Sequence, residues 1–384
     1  MFGRKLTWIF STLLLLSVVL GACATATPAP EEPVAPAEPA EPVATEVPPE
    51  EPVAPSPVTY TVGADGMVDT TAFQQDPPYT LCFSNASVAN DWRVAMVGHV
   101  DYAIEEARGA GLIEDYFYAD ANNDPNKQIS DIEDLLTKGC DVMLISAAAQ
   151  DVVDPGAKQA MEAGVPVITV DRDVLNPENR ISYTDGDSCL MGTTQAEWLV
   201  AELGGEGDIV LLSGIAGASP AEERLRCARE VFAQSPGITE LAQAYTDWSP
   251  TGGQKQMEAW ITQFGDQIDG IWSDSALQAV GVVNALLAAD MTVPPITGED
   301  WALFLHQAVD NGFAFAGVSF PNRLGYFAVQ DALDLLAGEP IAFHHQIAPI
   351  TITKDNLDTY YNTTMSDALW LDMLPEVRMI LYGQ

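Results

Sequence analysis

"VPVITVDRD", residues 165–173, sets a run of apolar and β-branched residues directly against an acid, an arginine and a second acid. A run of that length suits a strand buried on both faces, and the charged cluster then falls on the loop at its carboxyl end. The same arrangement occurs earlier, where Tyr79–Phe83 runs into "SNASVANDWR" at 84–93. Two polar clusters in equivalent places imply one site.

Outward from these stretches, apolar runs alternate with segments of helical period. "YTLCFS" precedes 94–108, "YFYA" precedes 126–137, "DVMLIS" precedes 157–163, and "VPVITV" follows. After 183–187 the rhythm restarts with helical 190–203, "DIVLLS", 221–233, "LAQAY", 254–264, "GIWS", 277–289 and "PPITG". Helical 303–310, "FAFAGVSF", 323–336, "AFHHQIAPITIT" and a final helical stretch around 367–380 complete the chain. This is the βαβ pattern of parallel sheets, given twice. The predicted fold is α/β, with two similar doubly wound lobes joined where the chain crosses three times between them. Lobe 1 is expected to comprise 79–185 plus 321–346, and lobe 2 to comprise 186–320 plus 347–384.

The amino terminus reads differently. Arg4 and Lys5 precede an apolar stretch from Leu6 to Leu20, and Leu20-Gly21-Ala22-Cys23 follows. That is the pattern of a secretory signal. The last four residues resemble the lipobox of bacterial lipoproteins, which implies lipidation of Cys23, a signal segment over 1–23 and an extracytoplasmic location at the cell envelope. Residues 24–58 are dominated by Pro, Ala and Glu and contain no basic residue. They cannot bury a core and are expected to form a disordered, semi-rigid spacer.

The formal charge is −39, which argues against nucleic acid and anionic membrane surfaces as partners. Beyond Cys23 there are Cys82, Cys140, Cys189 and Cys227. Cys189 and Cys227 fall on successive helices of one lobe and are the expected disulfide, whereas Cys82, inside a strand, is expected to pack as a small hydrophobe.

Ligands of open parallel sheets bind beyond the strands' carboxyl ends. Asn90, Trp92 and Arg93 fall there in the first unit, as do Asp171 and Arg172; Asp274 follows "GIWS" and Asp300 follows "PPITG". Arginine forks and carboxylates can ring the polar edge of a sugar, and the indoles of Trp92 and Trp248 can cover its weakly apolar faces. A metal fits less well. "DANNDPNKQ" at 120–128 spaces oxygen ligands like a calcium loop but has Pro125 where the turn needs glycine. His344 and His345 are adjacent, so a strand would point them to opposite faces. No metal or cofactor is predicted.

In sequence order, "NDWR", "GVPVITVDRDV", "LLSGIAGASPAEER", "DWSPTGG", "TGED" and "PNRLGYFAVQDALDLLAGE" resemble the ribose- and galactofuranose-type substrate-binding proteins of sugar ABC transporters. The resemblance covers about residues 79–353. It implies a monomer of two lobes closing on a monosaccharide and presenting it to a membrane permease. Carried over, the ligand residues are Asn90, Trp92, Arg93, Asp171 and Arg172 from the first lobe, with Arg224, Trp248 and Asp300 from the second. Asp274 or Ser275 falls where the family has Asn before Asp. Ser319 or Phe320 stands where ribose-binding members carry Gln, and "WR" is closer to the galactofuranose type, which implies another aldose, a furanose or a related polyol. Two other readings use the same residues: a ligand-sensing subunit for chemotaxis or signalling, and a sugar-processing enzyme with Asp171 and Asp300 as its acid and base.

Overall fold

The computed structural model describes residues 56–383. The signal segment, Cys23 and all but the last residues of the predicted spacer lie outside the described residues. Within them, a ribbon of β1 (Thr61–Val62) and β2 (Met67–Asp69) precedes the first alternation. That alternation is β3 (Tyr79–Asn85), α1 (Asp91–Gly109), β4 (Ile113–Asp120), α2 (Pro125–Leu136), β5 (Val142–Ser146), α3 (Gln150–Glu162), β6 (Val167–Val170) and β7 (Ser182–Asp185). The second runs through α4 (Ser188–Glu202), β8 (Glu206–Ser213), α5 (Ser219–Ala233), β9 (Gly237–Tyr245), α6 (Pro250–Phe264) and β10 (Gly270–Ser273), then α7 (Ala276–Ala288), β11 (Ile296–Gly298), α8 (Ala302–Asn311) and β12 (Phe315–Val318). The chain ends with α9 (Leu324–Ala337), β13 (Ile341–Ala342), β14 (His344–Gln346), β15 (Thr351–Thr353), α10 (Leu357–Tyr360) and α11 (Pro375–Tyr382).

Two six-stranded sheets form the lobes, in the orders β14-β7-β6-β5-β3-β4 and β15-β12-β11-β10-β8-β9. All neighbours are parallel except β15, which lies antiparallel to β12. The buried strands β5, β6 and β10 have no exposed residue, because helices cover both faces; this is why their sequences are unbroken apolar runs rather than alternations. In β8, Val210 and Leu212 join the main core while Ile209 and Leu211 enter a second cluster with Leu199, Phe232 and Trp272 on the opposite face. Side chains of period two thus feed both layers.

The chain passes between the lobes after β7, after β12 and after β14, the three crossings of the hinge. "AFHHQIAPITIT" is therefore two strands, one for each sheet. His344 and His345 do face apart: His344 lies 3.4 Å from Asp185, and His345 bonds Asp331.

Three expectations change. Cys82 is not a free small hydrophobe but is bonded to Cys140, tying β3 to the turn before β5, alongside the expected Cys189–Cys227 bridge between α4 and α5. A buried strand position faces its neighbouring turn as readily as the core, which the linear sequence does not reveal. Helix α3 begins at Gln150, well before the apolar period becomes visible, and carries Pro155 in its second turn. The final stretch is helical only from Pro375, and this helix packs on α1 of the first lobe. Residues 347–384 therefore do not belong to the second lobe alone.

Loop 120–128 is a helix entry. Asp124 caps α2 by accepting from the backbone of Asn126 and Lys127, and Lys127 pairs with Asp131.

Candidate ligand cleft

The carboxyl ends of both sheets face one cavity, lined by Asn90, Trp92, Arg93, Asp171, Arg172 and Arg224 together with Trp248, Ser275, Leu277, Glu299 and Phe320. The cavity is small, with a volume of about 30 Å³. That is a narrow slot, well below the volume of a drug-sized site. The lobes are in contact over it: Asp173 donates its backbone N–H to Ser219 Oγ at 2.8 Å, and Trp92 Nε1 donates to the Phe320 carbonyl at 2.8 Å.

On the first lobe, Asn90 caps α1 by accepting from the Arg93 N–H at 2.9 Å. This first turn aims Arg93 inward. Its guanidinium donates to Asp171, to Asn85 Oδ1, to Ser146 Oγ at 3.0 Å and to the Ser87 carbonyl at 2.9 Å. Arg93 is thus committed to the protein and holds the Asp171 carboxylate in place. Asp171 itself has φ of 64°, a left-handed conformation that Asp tolerates and that turns the chain sharply at the end of β6.

Arg172 is 2% exposed and donates only from Nη1, to Asn123 at 3.3 Å; its Nε is buried with no hydrogen-bond partner. Burial, with Arg93 close by, lowers its pKa to about 9. Opposite it, Arg224 is 3% exposed, donates from Nη1 to the Asp274 carbonyl at 3.2 Å, and also leaves Nε buried and unpartnered. Glu299 lies 3.7 Å away and accepts from Ser275 Oγ at 2.5 Å; burial raises its pKa to about 8.

Trp248 orders the arginines rather than offering a free plane. One side of its ring presses on Gly214, where a Cβ would stand 1.8 Å from Cε2, and its Nε1 donates to Asp274 Oδ1 at 3.0 Å. The guanidinium carbons of Arg172 and Arg224 sit 5.2 and 5.9 Å from its centroid, and that of Arg224 sits 4.2 Å from Phe320. These are cation–π distances, and the Arg172 contact joins the two lobes.

Of ten residues predicted for the site, the cavity gathers seven. Asp274 stands one layer behind, its carboxylate filled by Trp248, Gln278 and the Gly214 N–H; its neighbour Ser275 is the residue that faces the cavity. Asp300 points away, because successive residues at a strand end face opposite sides, and accepts the backbone N–H groups of Leu371 and Asp372. Ser319 lies in the hinge, bonded to Asp372 at 2.8 Å, while the adjacent Phe320 takes the cavity position. Glu299 and Leu277 were missed; the "TGED" stretch offered two acids, and only the register of β11 selects between them.

Two α/β lobes, three crossings and a narrow slot lined by residues of both lobes define a clasping receptor for a small ligand. The chain belongs to the periplasmic binding protein domain family, whose model matches residues 81–340. It is similar to a xylitol-binding protein of Mycolicibacterium smegmatis, 31% identical over 242 residues that cover 62% of this chain and 68% of that one. The ribose import binding protein of Escherichia coli is 27% identical over 223 residues, covering 58% and 74%. Among solved structures, a Mycobacterium smegmatis protein in complex with β-D-fucofuranose matches with a TM-score of 0.67 at 26% identity, covering 73% of this chain and 93% of that chain.

Proposed function

We propose that the protein captures one monosaccharide or related polyol (an aldose, a furanose or a sugar alcohol) between its lobes and delivers it to an ABC-type permease. The observation that carries this reading is the pair of buried guanidinium groups, Arg172 and Arg224, each from a different lobe and each with an Nε that no protein atom satisfies. Buried donors of this kind are stable only with a partner. Hydroxyl and ring oxygens of a sugar supply such partners, while Asp171 and Glu299 accept from its hydroxyls. Closure requires groups from both lobes, so the ligand stabilises the closed shape that a permease recognises. The names of the relatives, which bind xylitol, ribose and a fucofuranose, support this ligand class.

In this reading the chain is a monomer, anchored through lipidated Cys23 on the outer side of a membrane, with no nucleic-acid partner. Binding needs no chemistry on the sugar. The enzymatic alternative requires Asp171 and Asp300 to face one ligand, and the turning away of Asp300 toward the chain's tail counts against it.

The test is a thermal-shift screen of the purified chain against D-ribose, D-galactose, L-arabinose, D-fructose, xylitol and myo-inositol, with product analysis of the same mixtures. A concentration-dependent rise in Tm for at least one, without turnover, is expected. Flat responses throughout, or conversion of a sugar, overturn the reading.

A further inference from the structure

The tail beyond the family match makes contacts that the cleft does not use. On the second lobe, Asp300 Oδ2 accepts from the backbone N–H groups of Leu371 and Asp372 at 2.9 and 2.7 Å. Ala302 and Leu303 donate to the Leu369 and Asp367 carbonyls, and Trp370 stacks on Trp301 with centroids 5.7 Å apart. At the hinge, Asp372 accepts from Ser319 Oγ and Arg323 Nε, both at 2.8 Å. On the first lobe, the Leu374 N–H donates to Nε2 of buried His99 on α1 at 3.1 Å, and α11 then lies along α1, with Leu381 against Gly98.

Only one residue, Met373, separates the anchor at Asp372 from the anchor at Leu374, a distance of two residue steps. Two fully extended residues span at most about 7 Å, and Leu374 is already extended, with φ −63° and ψ 135°. This link has almost no slack. The geometry points to the tail as a fourth connection between the lobes, a short strap that pins the α1–α8 edge of the hinge and limits how far the cleft opens. The three chain crossings can twist, but this edge cannot separate unless Asp300 or His99 releases its partner. Opening is therefore a rotation that pivots about the strap, and the unliganded protein samples a narrow range of lobe angles. The same contacts explain why Asp300 and Ser319, both at positions a ligand could reach by sequence, are spent elsewhere.

The test needs no ligand and so stands apart from the sugar reading. Nitroxides attached to ketone-bearing residues in place of Lys158 on α3 and Lys255 on α6, both exposed, report the inter-lobe distance by pulsed electron resonance. Inserting four glycines after Met373 keeps every anchor and lengthens the link by up to about 14 Å. Leu374→Pro instead removes the N–H that reaches His99. Both variants are expected to retain a cooperative melt while their distance distributions broaden toward longer values by more than about 5 Å relative to the unaltered chain, a margin set well inside the added reach. A folded insertion variant, or a folded Leu374→Pro, whose distribution superimposes on that of the parent overturns the strap.

Discussion

Gly214→Ala isolates the link between the back of the cleft and its arginines. The backbone at Gly214 has no left-handed φ, so the substitution adds only a methyl group. That methyl would lie 1.8, 2.2 and 2.3 Å from three atoms of the Trp248 ring, where ordinary contact begins near 3.4 Å. The indole must withdraw by about 1.6 Å, but its ring is already packed by Arg172 and Arg224, whose guanidinium carbons lie 5.2 and 5.9 Å from its centroid. Overpacking of this kind costs about 1–3 kcal/mol. The displaced Nε1 also leaves Asp274 Oδ1 with Gln278 as its remaining side-chain donor, worth another ~1–3 kcal/mol in a buried site. Urea unfolding of the ligand-free protein should therefore show a loss of about 2–6 kcal/mol with unchanged m-value, and the thermal-shift response should vanish because both guanidinium groups are displaced. A loss below about 1 kcal/mol, with the ligand response intact, would refute the role assigned to Trp248.

Arg224→Met should abolish the ligand response while the protein stays folded, since its nearest carboxylate is 3.7 Å away and Glu299 keeps its bond to Ser275. Asp171→Ala, by contrast, strands Arg93, which is 2% exposed, and should cost about 3–5 kcal/mol in a denaturant melt even without ligand. Burial raises the acids Glu299 and Asp300 to about 8 and about 7, so the folded state holds protons that the unfolded chain has already released. Their contribution to stability is complete below the ordinary carboxylate range and is lost as pH rises through 7 and 8. His99, lowered to about 4 by burial, acts in the opposite sense, and its contribution is lost as pH falls from about 6.5. Melts should therefore show stability declining from pH 6.5 to 8.5, with a shallower decline in Glu299→Gln; an unchanged slope in that variant would exclude Glu299 as a source. Removing the Cys82–Cys140 bridge, which closes a separation of 58 residues, should cost up to about 4 kcal/mol in an equilibrium melt.

Much of this protein is legible in its linear order. Apolar runs bounded by polar loops specify a parallel α/β architecture because strands covered on both faces have no solvent side to mark. Two successive sets of such runs specify two lobes, and the charged clusters at strand ends mark the cleft, because that is where a parallel sheet presents its loops. Asn90, Arg93, Asp171 and Arg172 follow from those rules, whereas Arg224, inside α5, follows only from the resemblance to sugar-binding proteins. Other assignments depended on rotation and on distant chain. Whether Glu299 or Asp300, Asp274 or Ser275, and Ser319 or Phe320 faces the cavity is a matter of one residue of register, because adjacent positions at a strand end point opposite ways. The partner of Cys82 and the engagement of Asp300 by Leu371 and Asp372 join segments 58 and about 70 residues apart. Local sequence determined which elements form and where the polar groups gather; only the packed chain decided which of two neighbours enters the cleft, because that choice is made by what stands behind each of them.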